Sequence, residues 1–546
     1  LDLMEHDEQI GLAGSKLVYP DGRLQEAGGI LWKDASAWNY GNQQDPDRSE
    51  YNYVKDVDYI SGASMIIRTE LWKDIGGFDE QFAPAYCEDS DFAFEVRKRG
   101  KRVVYQPQSV VVHFEGISNG TDTGNGIKAY QKINNQKFFR KWRDVLEKDH
   151  FENGTHILLA RDKSKYKKHI LVIDHYVPTY DMDAGNKTSF MYLELFVKMG
   201  MQVTFLGDNF NKMEPYGSIV NQMGIEVLYG RYYYENWESW MAVNLKYFDY
   251  VYMQRPDIAV KYIDVVRKYS NAKILYYAHD LHFLRELRQY ELEKKPEHLQ
   301  ASERYKKLEY ELFKKADVGY VVSPQEEKIM KQILPHKVIR SIPGYLYDKQ
   351  PKNINKDFRT RKDILFVGGF GHTPNIDGVL WFAKEVFPNL LSRYPEMKWH
   401  IVGNHVPETI YSLAGSNIIV EGFLSDEELR KLYVHCRLAV APLRYGAGVK
   451  GKVVEAAYYQ IPMVTTTIGA EGLERQSGAF VVEDDPIAMA ELISKLYQDY
   501  DNLRRMSDHC EEYIKTNFTS AVAEHILGQD IEFRQTDGGE KSICGN

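Results

Sequence analysis

A glycine-rich loop that carries two lysines is the part of the sequence most suited to chemistry. The stretch LAVAPLRYGAGVKGKVVEAAYYQIP, residues 438–462, passes from an apolar segment through Gly446 and Gly448 into a helical pattern. Glycines let backbone amides approach an anion, and the partial positive charge of a helix N-terminus adds to the charges of Lys450 and Lys452. The stretch therefore predicts a phosphate or diphosphate site.

The same loop satisfies the GxxxxGK spacing of P-loop nucleotide hydrolases. Val453 follows it, however, where a P-loop needs Ser or Thr to bind Mg²⁺, and the loop does not follow the first strand of its predicted sheet. A P-loop hydrolase is therefore the less favoured interpretation. Glu455 lies three residues after Lys452 on one helical face, so a plain surface ion pair is the alternative to a functional role for these two residues.

Acids and histidines at the ends of predicted elements are the other candidates. Glu88, Asp89 and Asp91 precede a helical pattern, where they either complement the helix dipole or take part in chemistry. His113 ends the apolar run VVVH, and His279 ends the apolar run in YYAHD. Each histidine is either a structural residue or one placed at the edge of a sheet for function.

The composition excludes several classes of protein. The chain has 546 residues, of which 43% are apolar and 27% charged, as in ordinary globular proteins of about three or four domains. A net charge of −9 gives no general attraction to nucleic acid. Four dispersed cysteines argue against a zinc site or disulfide framework.

Without a long apolar run or signal-peptide pattern, we expect a cytoplasmic protein. The initial leucine suggests that the natural N-terminus is missing. The basic run KINNQKFFRKWR is either a peripheral membrane contact or a solvated helix.

Short apolar strands alternate with helices over most of the chain, which predicts two doubly wound parallel sheets with a cleft at the carboxyl ends of their strands. Ser425 and Glu428 in SDEELRKLYVHC predict a capping box at a helix start. A polar stretch over 344–362 predicts the hinge between the sheets. The expected organisation is an N-terminal unit (1–150), a linker (151–168), two sheet domains (169–350 and 351–530) and a loose tail (531–546).

The two sheet domains together resemble a known family. Residues 169–530 are similar to family 4 (group 1) glycosyltransferases. The similarity rests on FVGGFGHTPNIDGVLWF, IVGN, VEGFLSDEELRKLYVHCRLAVAPLRYGAGVKGKVVEAAYYQIPMVTT, AHDLHFLRE and ADVGYVVSPQEE. The resemblance implies a GT-B fold of two Rossmann-like domains and retaining transfer from a nucleotide sugar. It implies that Glu455 binds the ribose hydroxyls and that Lys452 and Lys450 meet the diphosphate. The donor site it implies also includes Gly369, His372, Gly446 and Gly448.

Two positions depart from the family pattern on the donor side. Family members commonly have an acid eight residues before the ribose-binding one, and here that residue is Ala447. The usual basic residue is also absent from GGFGHTPN, so we expect His372 or Lys450 to compensate. These departures leave the identity of the sugar open.

On the facing domain the resemblance implies an acceptor loop containing Asp183, Gly185 and Asn186. It also implies that His279 contacts the sugar or acceptor, as a catalytic candidate. With no clear protein nucleophile, a front-face reaction is expected, in which the leaving diphosphate deprotonates the acceptor. No cofactor or metal is expected for this unit.

The N-terminal unit resembles the second half of family 2 glycosyltransferases, which have a GT-A fold, over residues 9–145. The resemblance rests on YISGASMIIRTELWKDIGGFDEQFAPAYCEDSDFAFEVRKRGKRVVYQPQSVVVHFEG. It implies that Asp89 or Glu88 is the general base and that His113 ligates a donor-bound Mg²⁺ or Mn²⁺ in an intact unit. The chain begins after the region where that family binds its nucleotide, so we expect an incomplete unit that is inactive alone.

The favoured hypothesis is a hexosyltransferase-type enzyme of bacterial surface polysaccharide (O-antigen or capsule-like) biosynthesis. Its donor is a nucleotide diphosphate sugar, its acceptor is a saccharide or lipid-linked glycan, and no nucleic acid partner is expected. A glycan-binding module with a degenerate fold and, less favoured, a P-loop NTPase stay as alternatives. A GT-B phosphorylase would need a pyridoxal lysine, for which no candidate is found.

Overall fold

The computed structural model describes residues 1–114 and 129–532. Most of the tail expected at 531–546 therefore lies outside the described residues. Three units follow one another along the chain. We name them the N-terminal unit (2–149), the middle unit (169–341) and the C-terminal unit (362–517).

The N-terminal unit is built on a mixed sheet with the strand order β2-β1-β7-β5, in which β6 also pairs with β1. The strands of the whole unit are β1 (Ile10–Val18), β2 (Leu24–Glu26), β3 (Gly29–Leu31), β4 (Ala37–Asn39), β5 (Lys55–Asp56), β6 (Met65–Ile67) and β7 (Arg102–Val112). Strands β3 and β4 form a separate two-stranded sheet. Its helices are α1 (Asp2–His6), α2 (Thr69–Ile75), α3 (Glu88–Lys98) and α4 (Ala129–Asp149). Strands β1 and β7 run parallel, and β2 and β6 run antiparallel to β1.

Helix α4 contains the basic run that we considered for membrane contact. Phe138 and Trp142 of this run are buried in the core of the N-terminal unit, beside Phe94. These two aromatic side chains are therefore not available to a lipid surface.

The segment 151–168, expected to be a linker, packs between the N-terminal and middle units. It contains α5 (Ile157–Ala160). Arg161 is buried and donates to Glu226 of the middle unit, and Tyr53 of the N-terminal unit donates to Asp162 at 3.0 Å. Arg161 and Asp162 thus bind partners in both units instead of facing water.

The middle unit is a seven-stranded parallel sheet with the order β10-β9-β8-β11-β12-β13-β14. The strands are β8 (His169–Asp174), β9 (Gln202–Gly207), β10 (Glu226–Leu228), β11 (Tyr250–Gln254), β12 (Lys273–Tyr277), β13 (Val318–Val321) and β14 (Val338–Ser341). The helices are α6 (Ala184–Lys198), α7 (Tyr216–Gln222), α8 (Arg231–Asn244), α9 (Pro256–Tyr269), α10 (His282–Glu293), α11 (Pro296–Lys315) and α12 (Pro324–Ile333). Apolar side chains fill both faces of this sheet, as expected for a parallel sheet.

The C-terminal unit is a six-stranded parallel sheet with the order β17-β16-β15-β18-β19-β20. The strands are β15 (Lys362–Val367), β16 (Trp399–Val402), β17 (Ile418–Gly422), β18 (Cys436–Ala441), β19 (Met463–Thr465) and β20 (Phe480–Val482). The helices are α13 (Thr373–Trp381), α14 (Phe387–Arg393), α15 (Glu408–Tyr411), α16 (Asp426–His435), α17 (Gly451–Tyr458), α18 (Pro486–Gln498) and α19 (Tyr500–Asn517). Both halves of the predicted capping box are present: Ser425 accepts from the Glu428 amide and Glu428 accepts from the Ser425 amide.

The chain finally returns to the middle unit through α20 (Ser520–Leu527). Ala523 and Leu527 pack into the core of the middle sheet, and Asp530 accepts from Arg340 at 2.7 Å. The two doubly wound parallel sheets are therefore as predicted. In each sheet the strand order reverses beside its first strand, β8 or β15, and ligands of such folds bind at that reversal.

Candidate active site

The candidate site lies where loops of the C-terminal unit meet loops of the middle unit. A Cβ atom placed on Gly448 would lie 3.1 Å from Asp280 Cβ and 3.1 Å from Val322 Cγ2. The glycine-rich loop after β18 therefore rests against the ends of β12 and β13. Asn404, after β16, donates to the carbonyl of Met182 at 2.6 Å and makes a second contact between the units.

The glycine-rich loop depends on its glycines. Gly446 and Gly448 have φ of 140° and 71°, which side-chain-bearing residues rarely adopt. Lys450 is buried, and its Nζ donates to the carbonyls of Ala447 and Gly448 and lies 3.4 Å from Glu471 Oε2. Lys450, expected to bind the diphosphate, is thus bound to the loop itself.

Lys452 lies in the first turn of α17 and differs from Lys450. Within residues 1–114 and 129–532, its Nζ has no hydrogen-bond or ion-pair partner. A Cβ on Gly368 would lie 3.1 Å from Lys452 Cε, so this side chain reaches the loop after β15. Burial and the nearby charge of Lys450 lower the pKa of Lys452 to about 7. A partly buried cation without an anion, beside a helix N-terminus, is the arrangement that a phosphate group would balance.

Glu455 is bound from two sides. Its Oε1 accepts from Lys187 Nζ at 2.7 Å, and its Oε2 accepts from the Tyr433 hydroxyl at 3.1 Å. The Lys187 ammonium also lies 5.7 Å from the Tyr347 ring, which stacks on Tyr458. The ion pair of Glu455 therefore joins the two units and does not involve Lys452. Residue spacing could not predict that Lys187 pairs with Glu455, because Lys187 lies on α6, 268 residues before Glu455.

The loop after β15 carries the other predicted donor residues. A Cβ on Gly369 would lie 2.7 Å from Asn404 Oδ1, so a larger residue would force one of these two residues to move. The Gly369 carbonyl accepts a hydrogen bond from Asn375 Nδ2 at 2.6 Å. His372 is the N-cap residue of α13. Its removal from bulk water and the charge of Lys452 lower its pKa to about 4, so its imidazole is neutral near pH 7.

The predicted acceptor loop leads into α6. Asp183 caps this helix and accepts from the Asn186 amide at 2.9 Å. Asn186 is fully buried, and its Nδ2 donates to Thr179 at 3.0 Å, so it fixes the loop. Gly185 lies against Arg255, whose Nη2 would be 3.0 Å from a Cβ at that position.

His279 belongs to a hydrogen-bonded group at the ends of β8, β11 and β12. Its Nε2 lies 2.8 Å from Gln254 Oε1, and burial together with the charge of Arg255 lowers its pKa to about 3. Arg255 donates to the fully buried Asp174 at 2.8 Å. Although burial opposes ionisation, Arg255 and His175 hold the pKa of Asp174 well below its usual range. Sequence reasoning missed Asp174 and Arg255. The one local signal was that each ends a predicted apolar strand.

The acids of the N-terminal unit separate into two roles. Asp91 is buried and accepts from Trp142 Nε1 at 2.7 Å, so it joins α3 to α4. Asp89 accepts from the Gly62 amide at 3.1 Å, and burial raises its pKa and that of Glu88. A raised pKa suits a general base, so Asp89 and Glu88 keep their candidate role.

His113 contacts Gln25, with Nδ1 3.1 Å from Gln25 Oε1. In the parts of the chain that the structure describes, no group of three His, Cys, Asp or Glu residues could hold a metal ion. The residues around His113 therefore do not by themselves form a metal site.

Two family models match the chain. Residues 361–499 match "Glycosyl transferases group 1", and residues 27–132 match "Glycosyltransferase like family 2". The chain carries two glycosyltransferase segments. The group 1 segment contains the glycine-rich loop, Lys452 and Glu455, whereas the family 2 segment contains Glu88 and Asp89.

Two known proteins that are similar to parts of this chain have names that refer to a cps region and to O-antigen biosynthesis. An "Uncharacterized 44.6 kDa protein in cps region" of Klebsiella pneumoniae is 26% identical over 187 residues, which is 33% of this chain and 48% of the relative. "O-antigen biosynthesis protein RfbC" of Myxococcus xanthus is 27% identical over 120 residues, which is 21% of this chain and 9% of that relative. The chain thus spans about half the length of the first relative and less of the second.

Among solved structures, sucrose-phosphate synthase of Thermosynechococcus elongatus superposes with a TM-score of 0.52 and 17% identity. The match covers 66% of this chain and 98% of that protein, and it is a likeness of fold, which confirms the GT-B arrangement. Separately, none of the helices among the described residues is both long and apolar enough to cross a membrane.

Proposed function

We propose that the group 1 segment transfers a sugar from a nucleotide diphosphate sugar to a saccharide or lipid-linked saccharide, with retention at the anomeric carbon. The observation that carries this proposal is the unpaired Lys452 ammonium at the N-terminus of α17. A diphosphate supplies the negative charge that this position lacks. The relatives named for a cps region and for O-antigen biosynthesis support surface polysaccharide assembly as the setting.

In this proposal the donor lies across the cleft. Its diphosphate sits on the glycine-rich loop and Lys452, and its ribose hydroxyls bind Glu455. The bond between the anomeric carbon and the phosphate oxygen breaks, and the acceptor oxygen bonds to that carbon on the same face. The acceptor proton passes to the departing phosphate oxygen. Lys452 and the helix N-terminus stabilise the charge that develops on the diphosphate, which lowers the barrier.

His279 is proposed to contact the acceptor or the transferred sugar as a neutral hydrogen-bonding group. Its low pKa excludes a positive charge near neutral pH, and its bond to Gln254 Oε1 places the ring proton on Nε2. In the family 2 segment, Asp89 is proposed as the general base, with Glu88 as its neighbour.

Calorimetric titration of UDP, GDP and dTDP into the full chain tests the donor site. At least one nucleotide should bind, and Lys452→Met should weaken that binding about tenfold or more, since a charge-assisted contact to phosphate is lost. Lys431→Met is the matched control, because Lys431 is exposed on α16 and pairs with the exposed Glu427. If all three nucleotides fail to bind, or if both variants bind alike, the proposal is wrong.

A glycan-binding module is the second candidate, and Ala447 favours it, since the acid that commonly faces the sugar is absent. Slow release of sugar from nucleotide sugars, lost in Glu455→Ala, supports the enzyme. Tight binding without any turnover supports the module. The P-loop alternative loses support because Val453, which would have to be a Mg²⁺ ligand, is 2% exposed in an apolar core.

A further inference from the structure

Two cations bind the backbone carbonyls of three successive residues in the glycine-rich loop. The Gly446 carbonyl accepts from Arg288 Nη1 at 2.6 Å. The carbonyls of Ala447 and Gly448 accept from Lys450 Nζ. In a planar trans peptide the C=O and the following N–H point in opposite directions. The amides of Ala447, Gly448 and Val449 therefore point away from these cations.

These three amides are free donors. Among the described residues, none of them donates to a protein acceptor. Buried or half-buried amides normally find a partner, so three adjacent free amides indicate a site for an oxygen-rich anion. Their direction depends on the two cations that hold the carbonyls.

Glu471 holds both cations in place. It accepts two hydrogen bonds from Arg288, at 2.7 and 2.6 Å, and its Oε2 lies 3.4 Å from Lys450 Nζ. The side chains of Glu471 and Lys450 are each only 7% exposed. Because the network is shielded from water, losing one member costs more than losing a surface ion pair.

The network joins two units. Arg288 lies on α10 of the middle unit, whereas Glu471 and Lys450 belong to the C-terminal unit. When the two units separate, Arg288 has to leave the Gly446 carbonyl and Glu471. The loop conformation is then held by Lys450 alone.

We propose that Arg288 and Glu471 are positioning residues that turn the amides of the glycine-rich loop toward the donor diphosphate only when the two units close. The assignment rests on the proposed function. Neither side chain touches the substrate; both act through the loop carbonyls and Lys450. Closure around an acceptor thereby completes the donor site, which limits cleavage of the donor by water.

Backbone NMR relaxation of the full chain tests this assignment without any ligand. In Arg288→Met and Glu471→Gln, the order parameters of the amides of 446–450 should fall from a rigid value of about 0.85 toward about 0.6, since the loop loses the contacts that hold its carbonyls. The order parameters of the β15 and β18 amides should be unchanged. Arg288→Lys, which keeps the charge but loses the two-pronged contact, should restore part of the loop order. Arg304→Met, on the exposed face of α11, is the matched control.

The same variants should weaken binding of UDP, or of whichever nucleotide the wild type binds, about tenfold, while thermal unfolding stays cooperative. Unchanged loop order parameters in the folded Arg288→Met protein overturn the assignment, as does nucleotide affinity equal to that of the wild type. If the wild type binds none of the nucleotides, the proposed function fails. The loop order parameters still decide whether Arg288 and Glu471 position the loop.

Discussion

Lys452 is the residue whose environment points most directly to a ligand. Lys187 pairs with Glu455 and Lys450 with Glu471, whereas Lys452 forms no ion pair among the described residues. Burial and the charge of Lys450 favour its neutral form and lower its pKa to about 7. A bound diphosphate favours the charged form and raises the pKa again.

A pH dependence of nucleotide binding follows from that shift. Below about pH 7, Lys452 is already protonated in the free protein. Above about pH 7, Lys452 is mostly neutral in the free protein, so it has to take up a proton when the nucleotide binds. UDP affinity should therefore fall as the pH rises through about 7 toward 9, with uptake of up to about one proton per UDP. Calorimetry in buffers of different ionisation enthalpy measures the uptake. Lys452→Met should abolish it, and equal uptake in that variant would assign the proton to another group.

At the scale of elements, the site is made by loops that follow β15 and β18 and rest on the ends of β12 and β13. Parallel strands end at one edge of a sheet, so residues far apart in sequence arrive together there. The loops then need backbone conformations and contact distances that side chains would prevent. Gly448 meets both conditions, with φ of 71° and a neighbour 3.1 Å from its Cβ position.

Gly448→Ala should therefore weaken nucleotide binding and loosen the contact between the units. The cost is of the order of 1–2 kcal/mol for the left-handed backbone, with the contact to Asp280 and Val322 in addition. Titration with UDP and a thermal melt measure the two effects. Gly415→Ala is the control, since no atom lies within 4 Å of its Cβ position and its φ is ordinary. Wild-type UDP affinity in Gly448→Ala would contradict this account of the loop.

At the scale of the whole molecule, buried polar contacts join the N-terminal unit and the following segment 151–168 to the middle unit. Arg161 pairs with Glu226 on β10, with side chains 9% and 3% exposed, and Tyr233 donates to Glu50 at 3.2 Å. Such contacts do not form between units that merely share a flexible tether. The two units therefore move together, and closure of the cleft moves the C-terminal unit against both.

Glu226→Gln should destabilise both units, because it leaves the Arg161 charge buried without its partner. We expect a loss of about 3–5 kcal/mol in the free energy of unfolding, measured by urea denaturation with probes in each unit. Glu235→Gln removes the exposed partner of Arg231 and should cost less than about 1 kcal/mol. If only the middle unit loses stability, the two units unfold independently and the proposed coupling is wrong.

Local pattern predicted much of the fold because its signals lie within a few residues of each other. Most strands of the two parallel sheets, the capping box at Ser425 and the glycine-rich loop follow from apolar runs, turn chemistry and helix starts. The polar composition of 151–168 predicted a linker and carried no signal for the buried contacts of Arg161 and Lys163. Only docking of two units gives these two side chains their partners.

The sequence by itself determined two doubly wound sheets and a cationic glycine-rich loop, because strand alternation and loop composition act over short distances. Tertiary structure alone decided which charges meet. It placed Lys187 on Glu455 and Arg288 on Glu471, and within the described parts of the chain it left Lys452 without an ion-pair partner. An ion pair between residues on two sheets exists only after the sheets have docked, and no spacing along the chain encodes that geometry.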